Sequence, residues 1–486
     1  MNNKSIGVIG GGTAGFVTAL ILKSRFPHLK IDVICSSKIG IVGVGEGSTE
    51  HWNEFLKYIG VSWKSVINRC DATFKAGIMF KGWAEEDYLH STNPDFEDKT
   101  GQYMYVYGNR ISKGHPEKSV TPNLVWKNVI DNRYFEDKDP PFNQFHFNTH
   151  KLNVFLHEVA TLKGIPVIDD EITDVTLNST GEISSVKGNL QEYKYDFYID
   201  CTGFKRLLIS KLGGKWVSHG KYLKMKSAIV FPTEEKSEYN IYTTAQAMDY
   251  GWMFTIPVWG RNGNGYIFDS DYITADQAKE EVEKFLGHSI TVGKHLTFDP
   301  GAIDKAWIKN CVAVGLSGNF IEPLEATSIG TSIQQAFLLM HRFPNYTQST
   351  IDQYNADLDK VMENVRDFVI LHYQTNKTNT QFWKDVAALE IPDSLKTKLE
   401  RWRNNLPIEE DFSGLSKYIM FRETNFAQVL YGLNLFDREK IKEEYEMQRQ
   451  EIKDFADAKI LDVVKYENSL TIVGHKRFLE LIRQGL

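Results

Sequence analysis

Ser5-Ile6-Gly7-Val8-Ile9-Gly10-Gly11-Gly12-Thr13-Ala14-Gly15 is the stretch whose reading decides the fold. Ser5 to Ile9 is a short apolar run of strand type, Gly10 to Gly15 is a glycine turn, and Phe16 to Lys23 is helical in pattern. Ile31 to Cys35 then reads as a second strand, which makes a βαβ unit. Gly10, Gly12 and Gly15 are spaced as GxGxxG. Without side chains there, the backbone can turn tightly, approach a pyrophosphate closely and aim a helix N-terminus at it, with Thr13 and Ala14 at the helix start. A structural glycine turn would use the same residues, but a strand before and a helix after favour dinucleotide binding. The acidic residue expected about twenty residues further on, for ribose hydroxyls, is missing: Cys35-Ser36-Ser37 stands in its place.

Around this unit the composition is ordinary for a soluble globular protein. At about 150 residues per domain, 486 residues suit roughly three domains or one large multilayer unit. An apolar fraction of 42% with 24% charged residues excludes disordered, collagen-like and disulfide-scaffold classes. Lys and Arg number 56 against 63 Asp and Glu, a net charge of −7 with no dense basic block, so nucleic acid is not expected as a partner. Cys35, Cys70, Cys201 and Cys311 form no CxxC and suit a reducing compartment, so a cytoplasmic location and no metal site are expected. The uncharged run Ser5 to Leu22 is interrupted by five glycines, and no other stretch approaches the eighteen or so apolar residues of a membrane helix. No membrane partner is expected, and a homo-oligomer is left open. The aromatic load, 13% with ten Trp, fits a planar cofactor or an aromatic substrate.

Trp83 to Pro141 is polar and aromatic-rich, with loop signals at Asn93-Pro94 and Asp139-Pro140-Pro141, and reads as an insertion or lid. Alternation returns after it. Lys151 to Leu162 reads as helix, Val167 as strand, and Glu182 to Val186 and Lys194 to Ile199 as strands of a small meander, with strands continuing to about Val314. From Ile329 the pattern is mostly helical: Gln334 to Phe343, Ile351 to Tyr373, Ser394 to Asn405 and Arg438 to Lys459. Two strands end in glycine turns, at Asp200-Cys201-Thr202-Gly203-Phe204 and Val314-Gly315-Leu316-Ser317. Such turns deliver backbone to a cofactor, which makes Gly203 and Gly315 candidates. Gly260 to Gly265 reads as a hairpin turn, so no separate NAD(P)H domain is evident.

Five motifs then occur in order: Gly10 to Gly15; Gly43-Val44-Gly45-Glu46-Gly47-Ser48-Thr49; Phe74-Lys75-Ala76-Gly77-Ile78-Met79-Phe80; Asp200 to Phe204; and Phe320-Ile321-Glu322-Pro323-Leu324-Glu325-Ala326-Thr327. With them the chain resembles the flavin-dependent halogenases of the tryptophan-halogenase type, from residue 5 to about 343, with a fainter echo at His372-Tyr373 and Phe382-Trp383. The resemblance implies an α/β fold: a Rossmann-like, FAD-binding module of flavoprotein monooxygenase type over residues 1–345, with a loop-rich insert at about 83–141. A mostly helical module over 346–486 would cover the substrate. It also implies FAD used as FADH2, O2 and a halide ion, a small aromatic substrate such as an indole or phenol, and a separate NAD(P)H-dependent flavin reductase.

By the same resemblance Lys75 falls on the active-site lysine that guides hypohalous acid, and Glu325 on its partner glutamate. Read alone, Lys75 would be a surface lysine and Glu325 a helix-dipole partner. Gly43 to Thr49 matches the strap that couples the cofactor and substrate sites, with Gly45 and Glu46 toward the cofactor. Trp252-Met253-Phe254-Thr255-Ile256-Pro257 matches W-x-W-x-I-P with Phe254 for the second tryptophan, where Trp252 and Phe254 would wall the tunnel against direct oxygen transfer; read alone, Phe254 is core filling. Asn148 stands where an acidic residue is expected after His146-Phe147. The halide motif F-x-x-P-x-x-S-x-G keeps Phe320 and Pro323 but has Ala326 for serine and Ser328 for glycine, with Thr327 and Ser328 as halide contacts. Loss of a hydroxyl, together with strain at Ser328 if that position needs positive φ, is expected to favour bromide or iodide over chloride. Two alternatives stand beside halogenation: a flavin-dependent aromatic hydroxylase, and a non-catalytic flavin-binding protein.

Overall fold

The computed structural model describes residues 4–43, 47–92, 102–113, 123–135 and 138–485. Gly45 and Glu46 of the strap and the Asn93-Pro94 loop signal lie outside the described residues. Ser5–Ile9 is an inner strand of a six-stranded sheet, and its Ile6, Val8 and Ile9 are buried, as a strand covered on both faces requires. It pairs in parallel with Lys30–Cys35 on one side and Phe197–Asp200 on the other. Val167–Asp169 and Cys311–Ala313 extend the sheet in parallel, and Trp307–Ile308 ends it antiparallel. The helix Thr13–Arg25 carries no charge before Lys23 and is buried from Gly15 to Leu22, because it lies against the helices Thr149–Leu162 and Thr327–Arg342. Phe197–Asp200 therefore belongs to this sheet and not to the meander, which consists of Ile172–Leu177, Ile183–Gly188 and Glu192–Tyr193.

A second, seven-stranded sheet runs in the order Lys294–Thr297, Ser227–Thr233, Arg261–Phe268, Gly251–Val258, Tyr242–Met248, Gly77–Lys81, Tyr88–Ser91. The hairpin between Gly251–Val258 and Arg261–Phe268 turns at Trp259-Gly260, where Gly260 has φ 84. Gly263 and Gly265 thus lie inside a strand rather than in the turn. The short strand Thr73–Lys75 pairs with Gln144–His146. After it the chain crosses to the seven-stranded sheet at Ala76, whose N–H donates to Ile241 O at 2.6 Å. Lys75 is the last residue of the small ladder.

The stretch read as strands up to Val314 contains the helix Ala275–Leu286, started by a Thr274 and Gln277 capping box and stopped by Gly287 at φ 76. Arg438 to Lys459 is two helices, Arg438–Glu446 and Gln450–Asn468. The region read as loop-rich carries the strand Tyr88–Ser91, the helices Gln102–Ser112 and Asn123–Lys127, and the strand Val129–Asp131, which pairs with Ile472–Gly474 near the chain's end. One apolar core runs from Ile6 to Ile482, so the C-terminal helices and the insert share it with the N-terminal βαβ unit. Among the described residues no helix is long and apolar enough to cross a membrane.

Candidate active site

The glycine cradle is built by close approach at three glycines and left open at a fourth. A Cβ at Gly10 would lie 2.1 Å from Cys201 O, one at Gly15 2.0 Å from Gly10 O, and one at Gly11 2.6 Å from Cys35 Cβ. At Gly12 a Cβ meets nothing within 4 Å, and Gly12 is the N-cap of Thr13–Arg25 with no side chain capping it. The first N–H groups of this helix, with no acidic residue in its first turn, face open space that a pyrophosphate fits. Asn153 Nδ2 donates to Gly11 O at 2.7 Å and steadies the loop. Gly315, at φ 67, closes on Ala14, where a Cβ would lie 2.6 Å from the Ala14 Cβ. Gly10, Gly12, Thr13, Ala14, Gly15 and Gly315 are brought together.

Asp200, fully buried, ties Gly203 to this cradle. Its Oδ2 accepts from Leu208 N at 2.8 Å and Ile209 N at 2.9 Å, and its Oδ1 from Thr202 N, Thr202 Oγ1 and Ser317 Oγ. Both glycine turns thus hang from one carboxylate. Beyond Lys30–Cys35, where no acidic residue stands, Ser37 donates through N (2.8 Å) and Oγ (2.7 Å) to Asp169, which is in register with Cys35 on the neighbouring strand. Those bonds hold the Asp169 carboxyl below its ordinary value. Asn148 caps the helix Thr149–Leu162, accepting from His150 N and Lys151 N, which explains its polar side chain locally.

Lys75 is buried, with 1% of its surface exposed, and its Nζ donates to Ser48 O at 2.8 Å. Ser48 N in turn donates to Phe145 O, and Phe145 N to Ser48 Oγ, so the end of the strap is stitched to the ladder that carries Lys75. Burial pushes the Lys75 ammonium down to about 8, against the pull of Glu325 and Glu50. His146, beside it and fully buried, is held well below its ordinary value by burial, by Lys75 and by His475. The C-terminal helix His475–Gln484 returns here: Phe74 N donates to His475 Nε2 at 3.1 Å.

Glu325 (φ 69) and Ala326 (φ 55) are both left-handed, an arrangement that costs on the order of 1–2 kcal/mol per residue and persists only where the surroundings demand it. The demand comes from the Glu325 side chain, which is 1% exposed: Oε2 lies 2.8 Å from His90 Nδ1 and Oε1 3.2 Å from His372 Nε2. Burial raises its carboxyl, but His90 and His372 outweigh burial and hold it well below the ordinary value. Ser328 lies within the helix Thr327–Arg342 and does not have positive φ, so the expected strain at that position is absent. The left-handed residues are the two before Thr327. Their helix starts without a side-chain cap and without an acidic residue in its first turn, and Gly47 of the strap lies so close that a Cβ would sit 3.3 Å from Ala326 Cβ.

Trp252 and Phe254 lie two residues apart on one strand, both buried, with ring centroids 6.2 Å apart. The Phe254 ring covers Gly265, its register partner, where a Cβ would lie 2.3 Å from the ring. Beside Trp252, Glu322 is buried and accepts from Tyr373 OH at 2.5 Å. Burial pushes the Glu322 carboxyl up to about 8 against the bonds it receives. His90, His372, Ser48, Asp200 and Glu322 were given no role by the sequence reading. Ser48, Asp200 and Glu322 stand within motifs that carry the family resemblance and His372 within its fainter echo, whereas His90 carries no such signal. A cavity of about 540 Å³ lies next to the site, lined among others by Glu50, His341, Lys417, Arg422 and Asn425. Asn425 Nδ2 lies 3.1 Å from His90 Nε2, which connects this cavity to Glu325.

The family model for tryptophan halogenase matches residues 5–447. The chain is 30% identical over 455 residues to the 7-chloro-L-tryptophan 6-halogenase KtzR of Kutzneria sp. (strain 744), covering 85% of this chain and 88% of that protein. Among solved structures, Tar14, a tryptophan C-6 flavin-dependent halogenase (chlorinase) from taromycin biosynthesis, superposes with a TM-score of 0.87 at 26% identity, covering 99% and 100% of the two chains. A tryptophan halogenase from Shewanella frigidimarina NCIMB 400 superposes with a TM-score of 0.90 at 25% identity, covering 99% and 98%. With a glycine cradle fit for a dinucleotide and a buried lysine and glutamate, the chain belongs to the tryptophan halogenase family and is a flavin-dependent halogenase, an oxidoreductase.

Proposed function

We propose that this enzyme halogenates an electron-rich aromatic of the indole or phenol class, with hypohalous acid guided by Lys75 and with Glu325 as the carboxylate partner. The observation that carries the reading is the pairing of two oppositely charged side chains, both removed from water, each within the other's field. FAD would be held by Gly10, Gly12, Thr13, Ala14, Gly15, Gly203 and Gly315, with Asp169 in place of the missing ribose-binding carboxylate. When bound in reduced form, FAD with O2 supplies the oxidising equivalents that convert halide to hypohalous acid, and a separate NAD(P)H-dependent reductase supplies the reduced flavin. Thr327 and Ser328, at the uncapped start of their helix, would hold the halide through backbone N–H groups.

Lys75 offers N–H donors to the oxygen of hypohalous acid in a site where water does not compete for them. Its bond to Ser48 O fixes the direction of the side chain. Glu325 stays ionised, stabilises the cationic ring that forms when halogen adds, and takes the ring proton. Trp252 and Phe254 are the bulk that would keep the aromatic from the cofactor. The cavity beside Asn425 is the place we assign to the aromatic substrate. Incubation with FAD, a flavin reductase, halide and a panel of indoles and phenols, read by mass spectrometry, tests the reading. Halogenated product that needs halide supports it, whereas hydroxylated product formed without halide would identify the hydroxylase alternative.

A further inference from the structure

His372 is fully buried on the last turn of the helix Gln348–His372, and its ring packs against Phe80 and Phe368. Its Nδ1 lies 2.8 Å from Phe368 O. A carbonyl only accepts, so Nδ1 carries a hydrogen as long as this bond holds. A neutral His372 then has a bare Nε2, which lies 3.2 Å from Glu325 Oε1. Both buried atoms lack a hydrogen-bond partner among the described residues, and their 3.2 Å approach is a close contact rather than a formed hydrogen bond.

His90 is arranged in the opposite way. Arg422 N donates to Asn425 Oδ1 at 2.8 Å, which turns Asn425 Nδ2 toward His90 Nε2. Nε2 of His90 is then an acceptor, and Nδ1–H donates to Glu325 Oε2 at 2.8 Å. One oxygen of Glu325 thus receives a hydrogen from an imidazole that is complete without a second proton. The other oxygen faces a lone pair unless one more proton is present, and two acceptors held together without a hydrogen between them are costly when buried. The other ionisable groups facing the pair are Lys75, with Glu50 behind it, and the Glu322 and Tyr373 couple beside His372.

We propose that Glu325 and His372 hold one proton between Oε1 and Nε2 and lend it to the halogenation step. This rests on the halogenation reading above. As the ring carbon bonds to the halogen of hypohalous acid, the halogen–oxygen bond breaks with its electron pair on oxygen, and the shared proton joins that oxygen to give water. The cationic ring then loses its proton to Glu325, the C–H electron pair returns to the ring, and His372 Nε2 recovers its share. The sum is hypohalous acid plus arene giving haloarene plus water, with the pair unchanged. No proton has to cross the protein, which suits two groups buried out of contact with solvent. His372 acts through Glu325 and is a positioning residue that also stores a proton.

Two measurements test this. In 15N-histidine spectra of the protein at pH 7 without cofactor or substrate, His372, assigned by its loss in His372→Gln, should show both ring nitrogens protonated. In Glu325→Gln only Nδ1 should remain protonated. A bare Nε2 in the unsubstituted protein, or no change in Glu325→Gln, overturns the proposal. In the complete assay, His372→Gln retains a donor toward Glu325 but cannot exchange a proton, so kcat should fall about 100-fold with KM for the aromatic unchanged. Full kcat would overturn the lending step. If the unsubstituted protein halogenates nothing, the halogenation reading fails while the nitrogen spectra still decide the shared proton.

Discussion

Lys75 and Glu325 attract one another through the protein without a hydrogen bond between them: Lys75 Nζ is bonded to Ser48 O, and Glu325 is held between His90 and His372. Neither side chain neutralises the other by direct contact. The ammonium is thus incompletely compensated for burial, which gives the first prediction. Burial pushes Lys75 down to about 8 in the folded chain from 10.5 as a free side chain. Below about pH 8 both states hold the proton and the cost of burying the charge is fully present. Between pH 8 and 10.5 the unfolded chain binds a proton that the folded chain has released, so stability rises with pH there. The stability of Lys75→Met relative to the parent should therefore be highest below pH 8, net of the donor that Ser48 O loses, and should fall by about 3 kcal/mol as pH rises to 10.5. Urea unfolding of both proteins across this range checks it; a constant difference would refute it.

The same variant should separate two activities. Lys75→Met removes the N–H donors that guide hypohalous acid but touches no residue of the glycine cradle. Halogenated product should fall to background while oxidation of reduced flavin continues. Product retained at even a tenth of the parent level, with free hypohalous acid scavenged, would remove Lys75 from the site.

The glycines make a paired prediction. At Gly12 a Cβ enters open space, so Gly12→Val should leave the fold intact and weaken FAD binding by at least about tenfold, because the new side chain occupies the pyrophosphate approach. At Gly15 even a methyl group would lie 2.0 Å from Gly10 O, so Gly15→Ala should destabilise the protein itself. Flavin titration beside thermal unfolding distinguishes the two; undiminished FAD binding in Gly12→Val would rule the loop out.

Why this much was legible, and no more, follows from how each residue acts. Gly10, Gly12 and Gly15 act through local backbone, and local spacing reveals them. Ser5–Ile9 and the helix after it are likewise set by near neighbours in sequence. His90 reaches Glu325 across 235 positions, and the site forms only when the crossover at Ala76 brings two sheets together. A lone histidine in a stretch with loop signals carries no mark of that. Arg438 to Lys459 was read as one helix because Met447 to Arg449 contains neither Gly nor Pro to mark the break. The condition for strain at Ser328, a positive φ, is not met for a related reason: the left-handed residues are Glu325 and Ala326, and Glu325 is held by buried histidines distant in sequence.

Asp200 predicts a loss of a different kind. Its Oδ2 accepts two backbone N–H groups, and an amide in Asp200→Asn would turn an NH2 toward donors on one side or the other. The substitution should cost about 2–4 kcal/mol and weaken FAD binding, since the turns at Gly203 and Gly315 are both held by this carboxylate. Equal stability and equal flavin affinity in Asp200→Asn would show that the turns hold without it.

The halide prediction depends on Ala326. Ser328 keeps an unstrained helical backbone, so the missing hydroxyl at Ala326 carries the halide preference alone. An alanine offers no O–H donor, while the N–H groups at the start of Thr327–Arg342 are still available to an anion. Chloride is the smallest and most strongly hydrated of the three usable halides, so it loses most on entering a site with one donor fewer, and bromide and iodide lose less. Competition at equal halide concentrations should therefore give brominated or iodinated product in excess over chlorinated product. Ala326→Ser is the decisive variant, because it restores the hydroxyl at the same backbone position without altering Lys75 or Glu325. It should move the product ratio toward chloride, by roughly fivefold to tenfold for one hydrogen bond worth about 1 kcal/mol. A parent enzyme that already favours chloride, or a ratio that Ala326→Ser leaves untouched, would show that donors other than the residue at 326 set the halide preference.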